Sequence, residues 1–379
     1  MSRRAQSFEV RSSSPERVVA AFAAAYADVP RSAAGVVFVS GALLERQESI
    51  GRLLSAKRFG IPILLVGGSG VSSERGELEA ESAATGLVWS GGTAEIGVID
   101  AGNRDEGLCE GLGSFLARAG PRSAVALFVP PGGFTPRAIQ RLGSRSFGVP
   151  IFGGGAVGEP GVLAIGPHGE IVTGRAVALA AHDFGVPRVR TAHSCRLLSP
   201  LQRITRVRGS TVLELGGEPA LDVLTRAGAA LPGQPLVFTV LAAEPAAAGG
   251  EPPELLVRGV QGIDPAVRGL VVSNEAREGM WMAFGVRDGR AAQSEFERVT
   301  RALARDIAGA LPLCALHVNC GGRGHHLYGR ANVDTRILRE RFGDIPLAGV
   351  QSSFEIAPFG DAQSFQLYTG VVTLFTALS

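Results

Sequence analysis

Apolar runs recur along the chain in an arrangement that appears three times. Each copy has a buried apolar run, a loop of small residues, a helical pattern ending at Phe-Gly, and then a proline before a second apolar run. Glycine just past a helix suits a left-handed cap, and the proline cannot continue the helix. Each copy is therefore predicted to fold as strand, loop, helix and strand. The first runs are residues 35–39, 124–129 and 315–318, and the second runs begin at Ile63, Ile151 and Leu347.

Two further segments carry the signals of a helix start. Residues 14–16, Ser-Pro-Glu, place a capping serine before a proline at the first helical position. Ser294 and Glu297 have the spacing of a capping box, which predicts that a helix begins there. Residues 242–253 lack periodicity and predict a surface loop. The apolar positions of the second helix would form one buried stripe, Phe296, Val299, Leu303 and Ile307.

This order of elements predicts an α/β fold with mixed sheets, because further strand-like runs follow each strand–loop–helix–strand unit. The length of 379 residues favours two domains. Residues 187–202 separate the second copy from a new strand and helix. We therefore predict one domain at 1–200 and another at 201–379.

Composition and charge exclude several classes of protein. Hydrophobic residues make up 45% of the chain and charged residues 19%, unlike a disordered protein. A net charge of +2 without a basic cluster does not predict a nucleic-acid partner. No apolar run reaches the roughly 18 residues of a membrane span, and no secretory signal stands at the start. The four cysteines form no C-x-x-C pair, so we expect a cytoplasmic protein with free thiols and no metal site.

Common catalytic and nucleotide-binding motifs are absent from the sequence. Residues 153–158 satisfy G-x-G-x-x-G after a predicted strand, but a turn and another strand follow where the nucleotide fingerprint needs a helix. There is no P-loop, no H-E-x-x-H and no G-x-S-x-G. An enzyme is therefore not the leading expectation.

Polar chemistry is concentrated at the strand ends of the third copy. Residues 317–326, HVNCGGRGHH, follow its first strand, and residues 351–355, QSSFE, follow its second. Ligand crevices of open α/β sheets lie beyond the carboxyl ends of strands, so both segments are predicted to line one ligand site. The predicted ligand-binding residues are Asn319, Cys320, Gly321, Gly322, Arg323, Gly324, Ser352, Ser353 and Glu355.

Several of these residues admit two interpretations. Arg323 either forks onto a ligand carboxylate or ties two loops together through carbonyls or Glu355, which could itself accept a ligand amine. Cys320 is either a nucleophile or soft ligand, or a small buried apolar residue. The nearby histidines are interpreted as hydrogen-bonded or exposed, with haem ligation as the alternative: His317, His325 and His326.

These motifs resemble the FIST domain proteins, a family named for F-box and intracellular signal transduction. The C-terminal half is similar through CGGRG at 320–324, LYG at 327–329, IPLAG at 345–349 and EIAP at 355–358. The N-terminal half is similar through residues 36–40, 63–70, 203–206 and 212–224. Phe354 stands where the family usually has glycine, and it would narrow or abolish the expected pocket.

The resemblance implies a bacterial, non-enzymatic sensory module that binds a small ligand, with amino acids or related metabolites as candidates. Because the two halves fill the chain, we expect the signal to act in trans on a signalling protein such as a histidine kinase or a cyclic-nucleotide enzyme. No cofactor is expected unless haem binds, as in some family members. The alternatives are a haem-binding nitric oxide sensor, an enzyme that uses Cys320, and a protein-interaction scaffold.

Overall fold

The computed structural model describes residues 4–99, 105–119, 123–133, 138, 149–229, 237–243, 253–273, 276–360 and 362–377. The chain divides into two compact units. Unit 1 comprises residues up to Ala192, residues 296–365 and residues from 369 onwards, and unit 2 comprises 193–295 and 366–368. Both units contain helices and strands, and the α/β fold with mixed sheets is confirmed. The division into sequence domains at 1–200 and 201–379 stays a prediction.

Unit 1 is built mainly from strands. Its strands are β1 (Ala5–Arg11), β2 (Ser32–Val39), β3 (Ile63–Gly67), β4 (Gly70–Ser73), β5 (Gly76–Glu79), β6 (Ala83–Ser90), β7 (Thr93–Ile99), β8 (Ser123–Val129), β9 (Ile151–Gly155), β10 (Val162–Ile165), β11 (Ile171–Val172), β12 (Ala176–His182) and β13 (Val186–His193) from the first half of the chain. The chain returns to unit 1 after residue 295.

The strands of unit 2 come next along the chain, and those that complete unit 1 follow them. Unit 2 has β14 (Cys195–Leu197), β15 (Gln202–Arg208), β16 (Thr211–Leu215), β17 (Glu218–Pro219), β18 (Val237–Ala242), β19 (Leu256–Gly259), β20 (Gly262–Asp264), β21 (Gly269–Val271) and β22 (Trp281–Arg287). The later strands of unit 1 are β23 (Pro312–Cys320), β24 (Leu347–Ser352), β25 (Glu355–Phe359), β26 (Ala362–Gln366) and β27 (Thr369–Thr376).

Helices are fewer, and they lie between the strands along the chain. A 3₁₀ turn covers Gly41–Arg46. No helix in the described part of the chain is long and apolar enough to cross a membrane. The helices are α1 (Pro15–Ala27), α2 (Gln47–Lys57), α3 (Asp105–Ala119), α4 (Ala220–Gly228), α5 (Gly289–Asp306), α6 (His325–Tyr328) and α7 (Val333–Phe342).

The strands of unit 1 form three six-stranded sheets. The first sheet has the order β1-β6-β2-β3-β10-β11, the second β26-β25-β9-β8-β12-β7, and the third β13-β27-β23-β24-β4-β5. One core cluster takes side chains from all three sheets, for example Phe38, Phe128 and Leu316. Apolar burial shared by three sheets is therefore the main stabilisation of unit 1. In unit 2 a nine-stranded sheet follows β19-β18-β22-β15-β16-β21-β20, with β14 on β22 and β17 on β16.

The three predicted repeats are confirmed by their strand pairs. The pairs β2 with β3, β8 with β9 and β23 with β24 are each parallel. The helix of the second copy falls on residues 134–148, which are outside the described residues apart from 138. In the third copy Gly343 follows α7 and donates to the Arg339 carbonyl, but its φ of 75° and ψ of −164° differ from the predicted left-handed helical cap. In the first copy Arg58, with φ 48°, takes the left-handed position instead.

The two predicted helix starts have different outcomes. Ser14 caps α1 by accepting from the Arg17 amide at 3.3 Å, as predicted. The capping box at Ser294 is wrong, because α5 begins at Gly289. Asp288 accepts from the amides of Arg290 (3.0 Å) and Ala291 (2.9 Å), so the start of α5 is already capped six residues before Ser294. The apolar stripe of α5 is nevertheless part of a buried cluster.

Two other sequence predictions concern loops. Residues 153–155 end β9, and the chain continues to β10 without a helix, as the turn and strand predicted after residues 153–158 require. In the predicted surface loop at 242–253, Ala242 closes β18, and residues 244–252 lie outside the described residues.

Segments far apart in the sequence share the sheets of unit 1. The hairpin β4–β5, from the first part of the chain, extends the third sheet by pairing β4 with β24. In return β25, from the last part, pairs with β9 in the second sheet. The N-terminal and C-terminal parts of the chain are therefore interleaved within one unit.

Candidate functional site

The second strands of the three repeats end close together in unit 1. The Ser69 amide donates to the Gln351 carbonyl at 2.9 Å, which joins the ends of β3 and β24. The Ser353 amide donates to the Gly155 carbonyl at 2.9 Å, and this joins β24 to β9. We call residues 67–69, 155–157, 320–322 and 352–354 the strand-end junction. It lies at the carboxyl ends of parallel strands, where α/β proteins place ligand sites.

Glycines at the junction and directly before it allow the backbones to approach each other closely. A Cβ on Gly67 would lie 2.2 Å from the Val157 carbonyl oxygen, and one on Gly154 would lie 2.3 Å from the Phe354 carbonyl oxygen. Real Cβ atoms do not approach backbone that closely, so these positions need glycine. Packing between strand ends, and not a nucleotide cradle, accounts for this glycine-rich sequence.

The structure brings the two predicted ligand-binding segments together. Asn319 and Cys320 lie beside Gln351 and Ser352 in the parallel register of β23 and β24. The Gly321 amide donates to the Ser352 carbonyl at 2.8 Å. The segments therefore share one edge of the third sheet, as expected.

Only part of the predicted set faces solvent. Ser353 is exposed, and Gly321 and Gly322 are half-buried. Phe354, the departure from the family pattern, is half-buried and packs against Phe365, with ring centroids 4.8 Å apart and ring planes tilted by 41°. The groups that a ligand could contact at this edge are therefore a serine hydroxyl and main-chain groups, beside the aromatic ring of Phe354. The remaining predicted residues are buried: Asn319, Cys320, Arg323, Gly324, Ser352 and Glu355.

Arg323 is completely buried, and its guanidinium is bound by the protein itself. Its Nε donates to Asp334 Oδ2 at 3.0 Å, and its Nη2 donates to Asp334 Oδ1 at 3.1 Å. Nη2 also donates to the Tyr328 hydroxyl, and Nη1 to the Ala192 carbonyl. A buried fork of this kind is paired because an unpaired charge would be costly. Of the two interpretations, the geometry matches the loop-tying one, although through Asp334 and not Glu355.

Asp334 is the counter-ion that lets this arginine be buried. Burial by itself would raise its pKa, but the adjacent guanidinium of Arg323 holds the pKa below the ordinary value. Its carboxylate also accepts from the Tyr328 hydroxyl at 2.7 Å and from Asn319 Nδ2 at 3.2 Å. Asp334, which lies on α7, thus holds the loop 321–332 against that helix.

Glu355 is also buried, directly behind the strand-end junction. Its Oε2 accepts from the amide (3.1 Å) and hydroxyl (2.6 Å) of Thr369, and its Oε1 accepts from the Ser352 hydroxyl at 3.1 Å. Burial outweighs these donors and raises the pKa of Glu355 to about 8. In this structure its carboxyl holds β24 to β27 and is covered from solvent, so a ligand amine does not reach it.

Two carboxylates from the N-terminal hairpin hold the helices beside the loop. Glu79 accepts from the His325 amide at the start of α6, at 3.0 Å. Glu77 accepts from the amides of Asn332 and Thr335 at the start of α7, both at 3.1 Å. Burial and the charge of the nearby Asp334 raise the pKa of Glu77 to about 7. Residues of β5 thereby position the loop that carries Arg323.

The histidines considered for haem are not gathered at one opening. His317 is buried with its ring 5.5 Å from that of Phe296, and burial lowers its pKa to about 4. Neither of its ring nitrogens has a hydrogen-bond partner among the described residues. His325 and His326 are exposed on α6. In the described part of the chain, no group of three or more His, Cys, Asp or Glu side chains is arranged to hold a metal ion.

Cys320 is buried and forms no disulfide, so its position matches the interpretation as a small buried apolar residue. The Gly322 amide lies 3.5 Å from its sulfur. Cys195 and Cys314 are also buried, and neither forms a disulfide.

Sequence reasoning missed the partners that position the loop. Asp334, Glu77, Glu79 and Thr369 were not candidates, because each lies on another element and none belongs to a recognisable motif. Tyr328 appeared only as part of the LYG motif. A signal for Asp334 was available in principle, since a buried arginine needs a nearby carboxylate.

Comparison with known proteins identifies both halves of the chain. Residues 33–218 match the FIST N domain, and residues 220–358 match the FIST C domain. The hairpin β4–β5 therefore comes from the FIST N match and pairs with a strand of the FIST C match.

Curated relatives are mycobacterial. The uncharacterized protein Rv0628c of Mycobacterium tuberculosis is 26% identical over 339 residues, covering 85% of this chain and 86% of its own. The uncharacterized protein Mb0898c of Mycobacterium bovis is 30% identical over 202 residues, half of each chain. Neither name specifies a ligand or a partner.

Proposed function

The chain belongs to the FIST family, and on this premise we propose that it is a non-enzymatic cytoplasmic sensor that binds a small ligand at the strand-end junction and acts on a signalling partner. FIST domains are associated with sensing in signal transduction. Among the cysteines whose burial the structure describes, Cys195, Cys314 and Cys320 are buried and form no disulfide, which agrees with a reducing compartment. An amino acid or related metabolite is the proposed ligand class, and a histidine kinase or cyclic-nucleotide enzyme is the proposed kind of partner.

The observation that carries this proposal is the meeting of four loop segments at the carboxyl ends of parallel strands. Ser69 and Ser353 are exposed there, and the backbone of Gly321 and Gly322 is partly accessible. Hydroxyls and main-chain groups of this kind can orient a polar ligand without moving the core. The half-buried ring of Phe354 lies beside these groups and adds an apolar surface.

Arg323 and Glu355 are buried behind this site and hold its loop and strands in place. Because the guanidinium of Arg323 is saturated by Asp334, Tyr328 and a carbonyl, a ligand carboxylate would have to displace Asp334 to reach it. We therefore place the ligand against the outer face of the loop, with Arg323 holding the loop in its binding conformation. Ligand binding would then shift the population of loop conformations by no more than its differential affinity for them.

Isothermal titration calorimetry of the full chain against a panel of amino acids and related metabolites tests this function. A hit should be lost in Ser353→Trp, which fills the outer face, and kept in Ser13→Trp, a matched substitution at an exposed serine outside the junction. Equal affinity in the two variants would place the ligand elsewhere. No saturable heat with any panel member would contradict the proposed ligand class.

The haem and cysteine alternatives are tested separately. Haem reconstitution of the purified chain should give no Soret band that responds to nitric oxide. His317 is buried and enclosed by the protein, whereas His325 and His326 are exposed to solvent, so the three do not face one haem site. Iodoacetamide should label Cys320 slowly, since its thiol is buried. A nitric oxide-responsive Soret band, or rapid labelling of Cys320, would favour those alternatives.

A further inference from the structure

The protein uses the amides and the carbonyls of the strand-end junction to different extents. Ser69 and Ser353 are exposed and Gly321 is half-buried, and the amide of each donates to a carbonyl of a neighbouring segment, at 2.9, 2.9 and 2.8 Å. These hydrogen bonds join the strand ends to one another. A ligand therefore cannot take these amides as donors without separating the strands.

The carbonyl oxygens of the same three residues are left unused. Within the described ranges, the carbonyls of Ser69, Gly321 and Ser353 accept no hydrogen bond. The two serines add hydroxyl oxygens, of which Ser69 Oγ lies 3.4 Å from the Gln351 carbonyl. The Phe354 amide is a donor in this region that has no partner within those ranges. A carbonyl can only accept, so acceptors outnumber donors at this surface.

The residues that carry these acceptors lie close together. Ser69 and Gly321 donate to consecutive residues of β24, at positions 351 and 352, and Ser353 follows directly. A Cβ on Gly321 would lie 2.7 Å from Ser69 Oγ, so these two segments are in contact. The three unused carbonyls therefore belong to residues grouped around the end of β24, where one ligand group can meet several acceptors.

The groups that could bind a ligand carboxylate are already occupied by carboxylates of the protein. The guanidinium of Arg323 is held by Asp334. The amides at the start of α6 and of α7, which have no acceptor inside their own helix, are bound by Glu79 and Glu77 respectively. A ligand carboxylate would therefore have to displace an internal carboxylate at each of these positions.

Charge beside the loop 321–324 also favours a cation. Arg323 and Asp334 neutralise each other in their buried pair. A Cβ on Gly324 would lie 2.4 Å from Glu79 Oε1, so the Glu79 carboxylate lies against the loop. Among the described residues, Glu79 is bound by the His325 amide and forms no ion pair. Its negative charge is therefore not neutralised within the loop, and it attracts a positively charged ligand group.

The ring of Phe354 adds a surface that suits a cation. A Cβ on Gly155 would lie 2.4 Å from Phe354 Cε1, and Phe365 packs on the ring at a centroid distance of 4.8 Å. These contacts hold the ring in place while leaving it half-buried. A cation within about 6 Å of an aromatic ring is attracted by the negative face of the ring.

We propose that the strand-end junction recognises the ammonium group of its ligand through the carbonyl oxygens of Ser69, Gly321 and Ser353, so that primary amines without a carboxylate bind there as amino acids do. The inference rests on the proposed function, because it concerns the same site and narrows the chemistry of its ligand. A primary ammonium has three N–H donors, and it meets acceptors here without displacing any internal hydrogen bond. A carboxylate gains no main-chain donor from these three residues.

Isothermal titration calorimetry of the full chain at about pH 7 with two matched series tests this inference. The first series is leucine, isoamylamine, isocaproate and isoamyl alcohol, and the second is phenylalanine, phenethylamine, hydrocinnamate and phenethyl alcohol. In each series the amine lacks the carboxylate, the acid lacks the amine, and the alcohol has a neutral hydroxyl in place of the ammonium. We expect the amine to bind within about threefold of the amino acid, and the acid and the alcohol at least about tenfold more weakly, because both lose the charged donor.

The outcomes separate this inference from the proposed function. An acid that binds as tightly as the amino acid, with binding lost in Ser353→Trp, would overturn ammonium recognition and leave the ligand site in place. An alcohol that binds as tightly as the amine would also overturn it, because the ammonium charge would then contribute nothing. No saturable binding in either series would overturn the inference, whereas the proposed function would fail only if the wider amino-acid and metabolite panel were silent as well.

Charged substitutions at the exposed Ser353 locate the ammonium group. Ser353→Asp should strengthen the binding of isoamylamine and Ser353→Lys should weaken it, each by about two- to fivefold, as expected of a solvent-exposed charge pair. Ser13→Asp and Ser13→Lys are the matched controls at an exposed serine outside the junction, and they should leave the affinity unchanged. An affinity for isoamylamine that is the same in both Ser353 variants would place the ammonium elsewhere and overturn the inference.

Discussion

Asp334→Asn should be among the most destabilising single substitutions in unit 1. Asparagine nearly preserves the size of the side chain, but it removes the charge that neutralises the fully buried Arg323. In the wild-type protein the Asp334 carboxylate accepts from donors that include the Tyr328 hydroxyl and Asn319 Nδ2. The substitution replaces one of the two accepting oxygens with an NH₂ group, which cannot accept from them. The substitution therefore tests the loss of the negative charge by itself, without opening a cavity.

The size of the effect follows from the burial of both partners. Removing one member of a buried ion pair costs about 3–5 kcal/mol, because the other charge is left without compensation in a low dielectric. A domain's whole free energy of unfolding is about 5–15 kcal/mol. Replacing both members by apolar residues removes the unpaired charge, so Arg323→Met combined with Asp334→Leu should be more stable than Asp334→Asn alone.

Tryptophan emission provides the assay. The chain has two tryptophans, of which Trp89 is buried in unit 1 and Trp281 belongs to unit 2. In a Trp281→Phe background, urea titration followed by fluorescence reports on unit 1. We expect Asp334→Asn to lower the free energy of unfolding by about 3–5 kcal/mol. A loss below about 1 kcal/mol, typical of an exposed pair, would refute the assignment of Arg323 as a buried, Asp334-dependent charge.

Three further predictions concern pH, packing and the interleaved halves. Because burial raises the pKa of Glu355 to about 8, the folded state binds more protons than the unfolded chain above the ordinary value of 4.5, so stability should fall as pH rises through about 8. Glu355→Gln should flatten this slope in urea titrations between about pH 5 and 9, and an unchanged slope would contradict the shift. Gly154→Ala should cost about 1–3 kcal/mol or more, since its Cβ would meet the Phe354 carbonyl. Gly113→Ala, on α3 with open space around it, should instead stabilise by about 0.5–1 kcal/mol in the same thermal unfolding assay. Fragments 1–219 and 220–379 should each lack cooperative unfolding by circular dichroism and regain it on mixing, because β4–β5 and β25 exchange between sheets; two independently cooperative fragments would disprove the interleaving.

The repeats were predictable because their signals are local. Apolar runs of four to six residues, Phe-Gly and a following proline recur at each copy, and each of these is a property of neighbouring residues. The parallel pairs of β2 with β3 and β23 with β24 follow from them directly. The approach of residues 319–324 to 351–355 was also predictable, because consecutive parallel strands end at one edge.

The start of α5 shows how a correct local rule can lose to a competing one. Ser294 and Glu297 have capping-box spacing, but Asp288 lies earlier and already satisfies two amides. Once the helix begins there, Ser294 is an interior position and its capping potential is not used. The sequence alone is consistent with a helix that begins after Asp288 and with one that begins after Ser294. The apolar stripe from Phe296 onwards fits either helix.

The role of Arg323 was not predictable from its neighbourhood. An arginine in a glycine loop has the same local sequence whether it faces a ligand or a carboxylate eleven residues further on. What decides is the docking of α6 and α7, which Glu79 and Glu77 respectively hold from a hairpin about 250 residues earlier. Such a contact leaves no local periodicity or motif.

This dependence ties the candidate site to the N-terminal half of the chain. A ligand that moves the loop 321–324 must change the contacts of Arg323 with Asp334 on α7, and α7 is held at its start by Glu77. By linkage, anything that loosens the hairpin β4–β5 changes ligand affinity by the same factor with which the ligand changes the hairpin's docking. Glu77→Gln, which weakens this hold, should therefore alter ligand affinity although Glu77 is not among the groups on the outer face of the junction. If the affinity of a calorimetric hit stays the same in Glu77→Gln while the helix start is measurably less protected from hydrogen exchange, the loop and the hairpin are not coupled.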